Sequence, residues 1–118
     1  MNVETVDFVT IPTRDVERAV GWYRDVIGLD AGAPGEVEAP NVTFSFWNPE
    51  RDGEPFQPNV AGVALRVPDV KEACDELVAG GGELVGIDDT GVCHMGFCRD
   101  LDGNTIILHR RYKPRGQG

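Results

Sequence analysis

The sequence predicts an α+β fold in which a βαβββ unit occurs twice and the two units form a curled mixed sheet around a cup. Two observations predict it. The start of a helix reads DVERA at residues 15–19 and returns as DVKEA at residues 69–73. Each copy follows a β-prone run that ends in proline, and further β-prone runs come after each helix. Because one unit leaves a sheet face open, a second unit can cover that face and enclose a pocket.

Each predicted helix has a start signal and an end signal. Asp15 and Asp69 are good N-caps, and Glu72 follows the second of them at capping-box spacing. Apolar residues then recur every three or four positions, which places them on one face of each helix. Gly28 and the glycines at 80–82 end the two helices, because glycine readily adopts the left-handed backbone that follows a helix.

The predicted strands are runs rich in β-branched and aromatic residues, bounded by Gly, Pro, Asn or Asp. In the first unit, about residues 1–50, they are 5–11 and 41–47, with weaker strands in the Gly- and Pro-rich stretch 29–39. In the second unit, about residues 60–112, they are 60–67, 83–87, 91–98 and 105–110. The last two strands predict a hairpin around the turn at 100–104, and residues 113–118 form a basic tail. These segments predict a single domain over residues 1–118.

Composition and charge exclude several classes of partner. The net charge of −9 disfavours nucleic acid and anionic membrane surfaces. No run approaches the roughly 18 apolar residues of a membrane helix, and the N-terminus lacks the basic and apolar regions of a signal peptide. Three cysteines, an odd number without a secretory signal, are typical of reduced thiols. The sequence therefore predicts a cytoplasmic protein that binds neither nucleic acid nor membrane.

Three stretches of the chain resemble a known family. They are IPTRDVERAVGWYRDVIGL at 11–29, ALRVPDVKEACDELVAGGGEL at 64–84 and FCRDLDGNTIIL at 97–108. Together with the paired βαβββ units they resemble the vicinal oxygen chelate superfamily, which includes glyoxalase I, extradiol dioxygenases, fosfomycin-resistance transferases and bleomycin-resistance proteins. The resemblance covers nearly the whole chain and is weakest at 30–40. It implies the fold described above and a small-molecule site in the cup.

Enzymes of this superfamily hold a divalent ion with His, Gln or Glu side chains from strand positions. Carried over by motif, three of those positions fall at Phe8, Gly62 and Ile107. None of these residues is a metal ligand, and the 42–47 strand near the fourth position contains no His, Asp, Glu or Cys. A Cys93–His109 pair is conceivable as an incomplete site, but zinc takes three or four protein ligands. The sequence therefore favours a site without metal, with a divalent metal as the less favoured alternative.

Strand parity predicts which side chains face the cup. Taking Phe8 as inward places alternate residues of each strand inward with it. Alternation alone does not decide which face of the 42–47 strand points into the cup. The strand register of the resembled family favours Phe44 and Phe46 inward. The expected ligand-binding residues are Phe8, Thr10, Phe44, Phe46, Arg66, Cys93, Met95, Phe97, Ile107 and His109. Because Arg66 would be an inward charge, it needs either a protein carboxylate or an anionic ligand group as its partner.

Three functions are compatible with these features. The favoured one is metal-independent binding of a small apolar or aromatic molecule in the cup, as in the bleomycin-resistance branch. A metal-dependent lyase, isomerase or dioxygenase of the same superfamily with displaced ligands is the alternative. A structural or regulatory domain without a ligand is the third. The sequence identifies neither the ligand nor a catalytic residue.

The connector between the units bears on assembly. Residues 49–59 include Pro49, Pro55 and Pro58, which make this segment stiff and disfavour folding of the second unit back onto the first. In the resembled family the two units that close one cup often come from different chains. The sequence therefore predicts a homodimer.

Overall fold

The computed structural model of the protein describes residues 1–114, so the end of the predicted basic tail, 115–118, lies outside the described residues. The chain divides into two compact units, Met1–Pro58 and Asn59–Gly118. Each unit has its own four-stranded mixed sheet and its own helix. The predicted α+β fold with two βαβββ units is therefore confirmed. Within the described part of the chain, no helix is long and apolar enough to cross a membrane.

The first unit begins with a strand and a capped helix, as predicted. Its elements are β1 (Phe8–Pro12), α1 (Val16–Trp22), a π-helical turn (Tyr23–Ile27), β2 (Asp30–Ala31), β3 (Glu36–Glu38), β4 (Thr43–Trp47) and a 3₁₀ helix (Pro49–Asp52). The sheet order is β1-β4-β3-β2, with β1 parallel to β4 and the other neighbours antiparallel. The side chain of Asp15 accepts a hydrogen bond from the backbone N–H of Arg18 at 3.0 Å. Gly28 ends the helical run with a φ of 88°.

The core of the first unit lies between α1, its π-helical turn and one face of the sheet. The ring of Tyr23 contacts Phe44 and Phe46 edge-on, with centroids 6.4 and 4.9 Å apart. Both phenylalanines are buried, and Ile11 lies beside Phe46 on the same face. The expectation that Phe44 and Phe46 face the open side of the sheet is therefore wrong. Alternation along β4 allowed either face, and contact with Tyr23 decides which one is buried.

The second unit repeats this arrangement. Its elements are β5 (Val63–Arg66), α2 (Val70–Ala79), β6 (Glu83–Asp89), β7 (Cys93–Arg99) and β8 (Thr105–Arg111). The sheet order is β5-β8-β7-β6, with β5 parallel to β8 and the other pairs antiparallel. The side chain of Asp69 accepts a hydrogen bond from the backbone N–H of Glu72 at 2.9 Å. The repeated sequence motif thus forms the same N-cap in both units.

The core of the second unit brings α2 onto β7 and β8. Cys74 of α2 and Cys98 of β7 are almost fully buried, and their sulfur atoms lie 4.0 Å apart. Burial raises the pKa of the Cys98 thiol to about 12. Gly96, two residues before Cys98, faces α2 as well, because a side chain there would meet Cys74. The two thiols are therefore packing groups of the core and not nucleophiles.

The turn between β7 and β8 lies where the sequence predicts a hairpin. It is built around two buried polar residues. Asp100 and Asn104 are 7% and 3% exposed. The Asp100 carboxylate accepts hydrogen bonds from the backbone N–H groups of Asp102 and Asn104, both at 2.9 Å. The Asn104 side chain donates to Asp100 at 2.9 Å and accepts from the backbone N–H of Asn59 at 2.8 Å. The turn is thereby fixed to the chain segment that leads into β5.

Candidate functional site

The face of the first sheet that α1 leaves uncovered contains a cleft. It has a volume of about 560 Å³ and is lined by Thr10, Pro12, Trp47, Pro49, Glu54, Pro55 and Gln57. Trp47 is 41% exposed, and its indole N–H donates a hydrogen bond of 2.7 Å to Asp52. That bond fixes the orientation of the ring. The cleft therefore presents an oriented aromatic side chain and several proline rings beside a few polar groups.

The segment after β4 is held in place by side chains of the first unit. The guanidinium of Arg14 lies 4.4 Å from the centre of the Phe56 ring and forms an ion pair of 3.4 Å with Glu50. Both charged side chains are more than half exposed, so the ion pair stabilises little and the cation–π contact supplies the packing. Asn48 caps the 3₁₀ helix by accepting from the backbone N–H of Glu50 at 3.0 Å. One wall of the cleft is therefore anchored to the end of the sheet.

The expected site residues of the first unit divide between the two faces of its sheet. Thr10 lies on the uncovered face and lines the cleft. Phe8 lies on the same face by strand alternation and is 56% exposed. Sequence reasoning missed Trp47, Pro49 and Pro55. The alternation along β4 contained the signal for Trp47, because Phe44 and Phe46 facing the helix require Trp47 to face the other way.

The expected site residues of the second unit share one face of its sheet. The strand register aligns Ala64 with Ile107 and Phe97, and it aligns Arg66 with His109 and Met95. Gly96 and Cys98, which alternate with these residues along β7, face α2. The structure thus brings six expected residues together on the face opposite α2: Arg66, Cys93, Met95, Phe97, Ile107 and His109. Cys93 is buried, Arg66 is exposed and the other four are half-buried; their contact with a ligand stays a prediction.

Comparison with protein families decides the family of this chain. The sequence model of the Glyoxalase/Bleomycin resistance protein/Dioxygenase superfamily matches residues 5–108. The chain belongs to this superfamily. The comparison with curated proteins gives no match.

Solved structures of similar fold include other members of the glyoxalase/bleomycin resistance/dioxygenase superfamily. One from Sphaerobacter thermophilus DSM 20745 has 22% identity and a TM-score of 0.73, covering 91% of this chain and 97% of that chain. A family enzyme from Burkholderia phytofirmans PsJN has 20% identity and a TM-score of 0.71, covering 89% and 97%. TnmS3, an antibiotic binding protein from Streptomyces sp. CB03234, has 25% identity and a TM-score of 0.73, covering 94% and 98%.

The superfamily often uses a divalent metal, and the positions that would hold one do not fit it here. Gly62 has a φ of +103°, which a histidine would adopt only under strain. A Cβ atom at Gly62 would also lie 3.0 Å from Thr105 and 3.2 Å from Ile107. Ile107 itself is apolar and fills this space. Among residues 1–114, no group of three His, Cys, Asp or Glu side chains could hold a metal ion.

Another group of titratable side chains lies at the end of the β6–β7 hairpin. Asp89 accepts a hydrogen bond of 2.6 Å from the Tyr112 hydroxyl, and its other oxygen lies 3.4 Å from His94. The bond from Tyr112 lowers the pKa of Asp89 and raises the pKa of Tyr112. The rings of His94 and Tyr112 lie 4.6 Å apart. This exposed group ties the chain after β8 to the hairpin, which is a structural role.

Proposed function

We propose that this superfamily member binds a small apolar or aromatic molecule without a metal ion, as a resistance- or sequestration-type protein. The observation that carries the proposal is the cleft of the first unit, with Trp47 fixed on one side and proline rings around it. Its volume of about 560 Å³ lies within the range of about 300 to 1,000 Å³ that small-molecule sites occupy. The likeness to TnmS3, an antibiotic binding protein, supports the same class of function.

The chemistry of the cleft favours a flat apolar ligand. An aromatic ring placed against the exposed part of Trp47 would remove apolar surface from water and gain an offset or edge contact. The rings of Pro12 and Pro55, which are not buried, are already rigid, so little conformational entropy is lost when a ligand covers them. Glu54 and Gln57 supply polar groups that can orient the ligand.

Metal independence is proposed from the residues at the superfamily's ligand positions. Ile107 and Thr105 occupy the space beside Gly62, and the backbone of Gly62 disfavours any side chain. The second unit therefore has an apolar surface where a metal enzyme of the superfamily has its ion. A metal-dependent lyase, isomerase or dioxygenase with displaced ligands is the alternative that the experiment below must exclude.

The proposal is tested with N-phenyl-1-naphthylamine, a neutral aromatic dye that fluoresces when it leaves water. Protein treated with EDTA is expected to bind the dye, and Trp47→Ala is expected to weaken binding about tenfold, roughly 1.4 kcal/mol. Ile87→Ala serves as the matched control, because Ile87 is a 58% exposed apolar residue on β6 of the other unit. Fluorescence titration gives the three dissociation constants.

Two results would contradict this function. Equal dye binding by wild type and Trp47→Ala would remove the cleft from the site. A metal ion bound in a one-to-one ratio, whose removal by EDTA abolishes dye binding, would favour the metal-dependent alternative.

We further infer that the protein is a homodimer. In the first unit, Met1, Val3, Val6 and Phe8 are more than half exposed, which leaves an apolar segment uncovered. The strands β1 and β5 are sheet edges, and uncovered edges invite pairing or covering. Light scattering at micromolar concentration is expected to give twice the chain mass of 12.8 kDa. A mass of one chain under those conditions would refute the dimer.

We also propose that the protein acts in the cytoplasm. Cys74, Cys93 and Cys98 are all free thiols. Cys74 and Cys98 lie close enough that an oxidising compartment would favour a bond between them. A reducing compartment suits the thiol form, and mass spectrometry of alkylated protein taken from cells would show whether all three thiols are present.

A further inference from the structure

Three nitrogen-bearing side chains lie near one another at one end of the second sheet, on the face opposite α2. Arg66 of β5 is the register partner of His109 on β8. Arg111 lies two residues further along β8, so it leaves the same face as His109. Neighbouring strands are about 4.8 Å apart, and residues two apart on a strand are separated by roughly 6.6 Å. Long arginine side chains on this spacing can reach one small ligand group together.

None of these three side chains forms an ion pair with a carboxylate in the described part of the chain. The Nη2 of Arg111 donates only to the carbonyl of Pro114, at 3.3 Å. The Nε of Arg111 is buried and has no hydrogen-bond partner among residues 1–114. Asp88 is on the same face, but two strands separate it from Arg66 in the register. A buried donor without an acceptor is unfavourable, so the half-buried Arg111 side chain gains hydrogen bonds if its guanidinium turns toward an acceptor from outside the chain.

The acidity of the whole protein strengthens the argument that this cluster binds an anion. The net charge of −9 repels anions in general. Guanidinium groups that have no acidic partner in such an acidic chain therefore indicate a local requirement for an anion. Met95, Phe97 and Ile107 lie next to the cluster on the same face and are half-buried. An apolar surface thus adjoins the cationic group.

We propose that this face of the second unit is itself a binding site for an apolar or aromatic acid with a carboxylate, sulfonate or phosphate. This site lies within the second unit, so the proposal goes beyond the proposed function of the cleft in the first unit. Arginine binds such oxyanions through paired N–H groups. Arg111 and Arg66 would approach the oxyanion from neighbouring strands, and an N–H of His109 between them would donate to it. Met95, Phe97 and Ile107 would contact the body of the acid.

Two dyes that differ by one anionic group test this proposal. 8-Anilinonaphthalene-1-sulfonate is N-phenyl-1-naphthylamine with a sulfonate added. Wild-type protein is expected to bind the sulfonate dye about tenfold more tightly than the neutral dye. Arg66→Gln and Arg111→Gln should each weaken the sulfonate dye about tenfold while changing neutral-dye affinity less than about twofold. Arg110→Gln is the matched control, because it removes the same charge from the other face of β8 and should leave both affinities unchanged.

The outcomes separate this inference from the proposed function of the cleft. Equal affinities of wild type for both dyes, or an equal loss in the Arg110 and Arg111 variants, overturn the anion site while dye binding itself stands. If neither dye binds, the proposed function fails with these probes, and the anion site is then tested with inorganic phosphate alone. A phosphate-dependent rise in Tm in wild type and Arg110→Gln but not in Arg66→Gln then supports the anion site, and equal shifts overturn it. If Arg111→Gln does not fold by circular dichroism, Arg111→Lys replaces it and should bind the sulfonate dye with intermediate affinity.

Discussion

Replacing Gly96 by valine is expected to lower the free energy of unfolding by about 3 kcal/mol, at the upper end of typical overpacking effects. A Cβ atom at this position would clash with the sulfur of Cys74 and lie 3.3 Å from Val70. Both neighbours belong to α2 and are buried, so the helix must move away from β7. Urea denaturation followed by circular dichroism gives the change.

Gly86 provides the control for this effect. It lies on β6, the neighbouring strand, and a Cβ atom there would meet nothing within 4 Å. Gly86→Val is therefore expected to change stability by less than about 0.5 kcal/mol.

A second experiment tests whether the Cys74 contact is the cause. In a Cys74→Ala background, Gly96→Ala should destabilise far less than it does in wild type, because the clashing sulfur is gone. Additive effects of those two substitutions would show that the Cys74 contact is not the cause.

Asn104→Ala is expected to destabilise the protein by about 3 kcal/mol, as for a buried polar group whose hydrogen-bond partners lose their pairing. The substitution removes the donor to Asp100 and the acceptor for the backbone N–H of Asn59. It therefore weakens both the turn between β7 and β8 and its link to the segment before β5. Urea denaturation measures the loss, with Asn41→Ala as control because Asn41 is exposed. Similar curves for the two variants would contradict the structural role of Asn104.

Helix positions could be predicted from the sequence because their signals are local. The N-cap of each helix depends on one carboxylate and a backbone N–H three residues later, so Asp15 and Asp69 identify the starts directly. Gly28 likewise marks the end of the first helical run. Strand lengths were less predictable. Residues 5–7 have a β-prone composition, but β1 is only as long as its partner β4 and begins at Phe8.

The sheet face on which the expected site residues lie could be predicted in one unit and only in part in the other. In the second unit, residues of the β7–β8 hairpin alternate around Gly96 and Cys98, which must face the helix. In the first unit, β4 has aromatic residues on both faces. The alternation of side chains along the strand therefore does not show which face is buried. The deciding partner is Tyr23, a residue distant in sequence. The cleft beside Trp47 also depends on the path of the connector, which composition alone does not fix.

The pairing of the first and last strands of each unit has a consequence for the order of folding. Strands β6, β7 and β8 join neighbours in sequence and can form by local hairpin closure within microseconds. The pairing of Val63 with Ile106 must instead bring together residues at opposite ends of the unit, with α2 and two strands between them. Contacts so far apart in sequence slow the folding rate, since chain entropy is lost before they form. We therefore expect the docking of β5 onto β8 to be the slow step in the folding of this unit, which stopped-flow refolding of a variant that weakens this pairing would check.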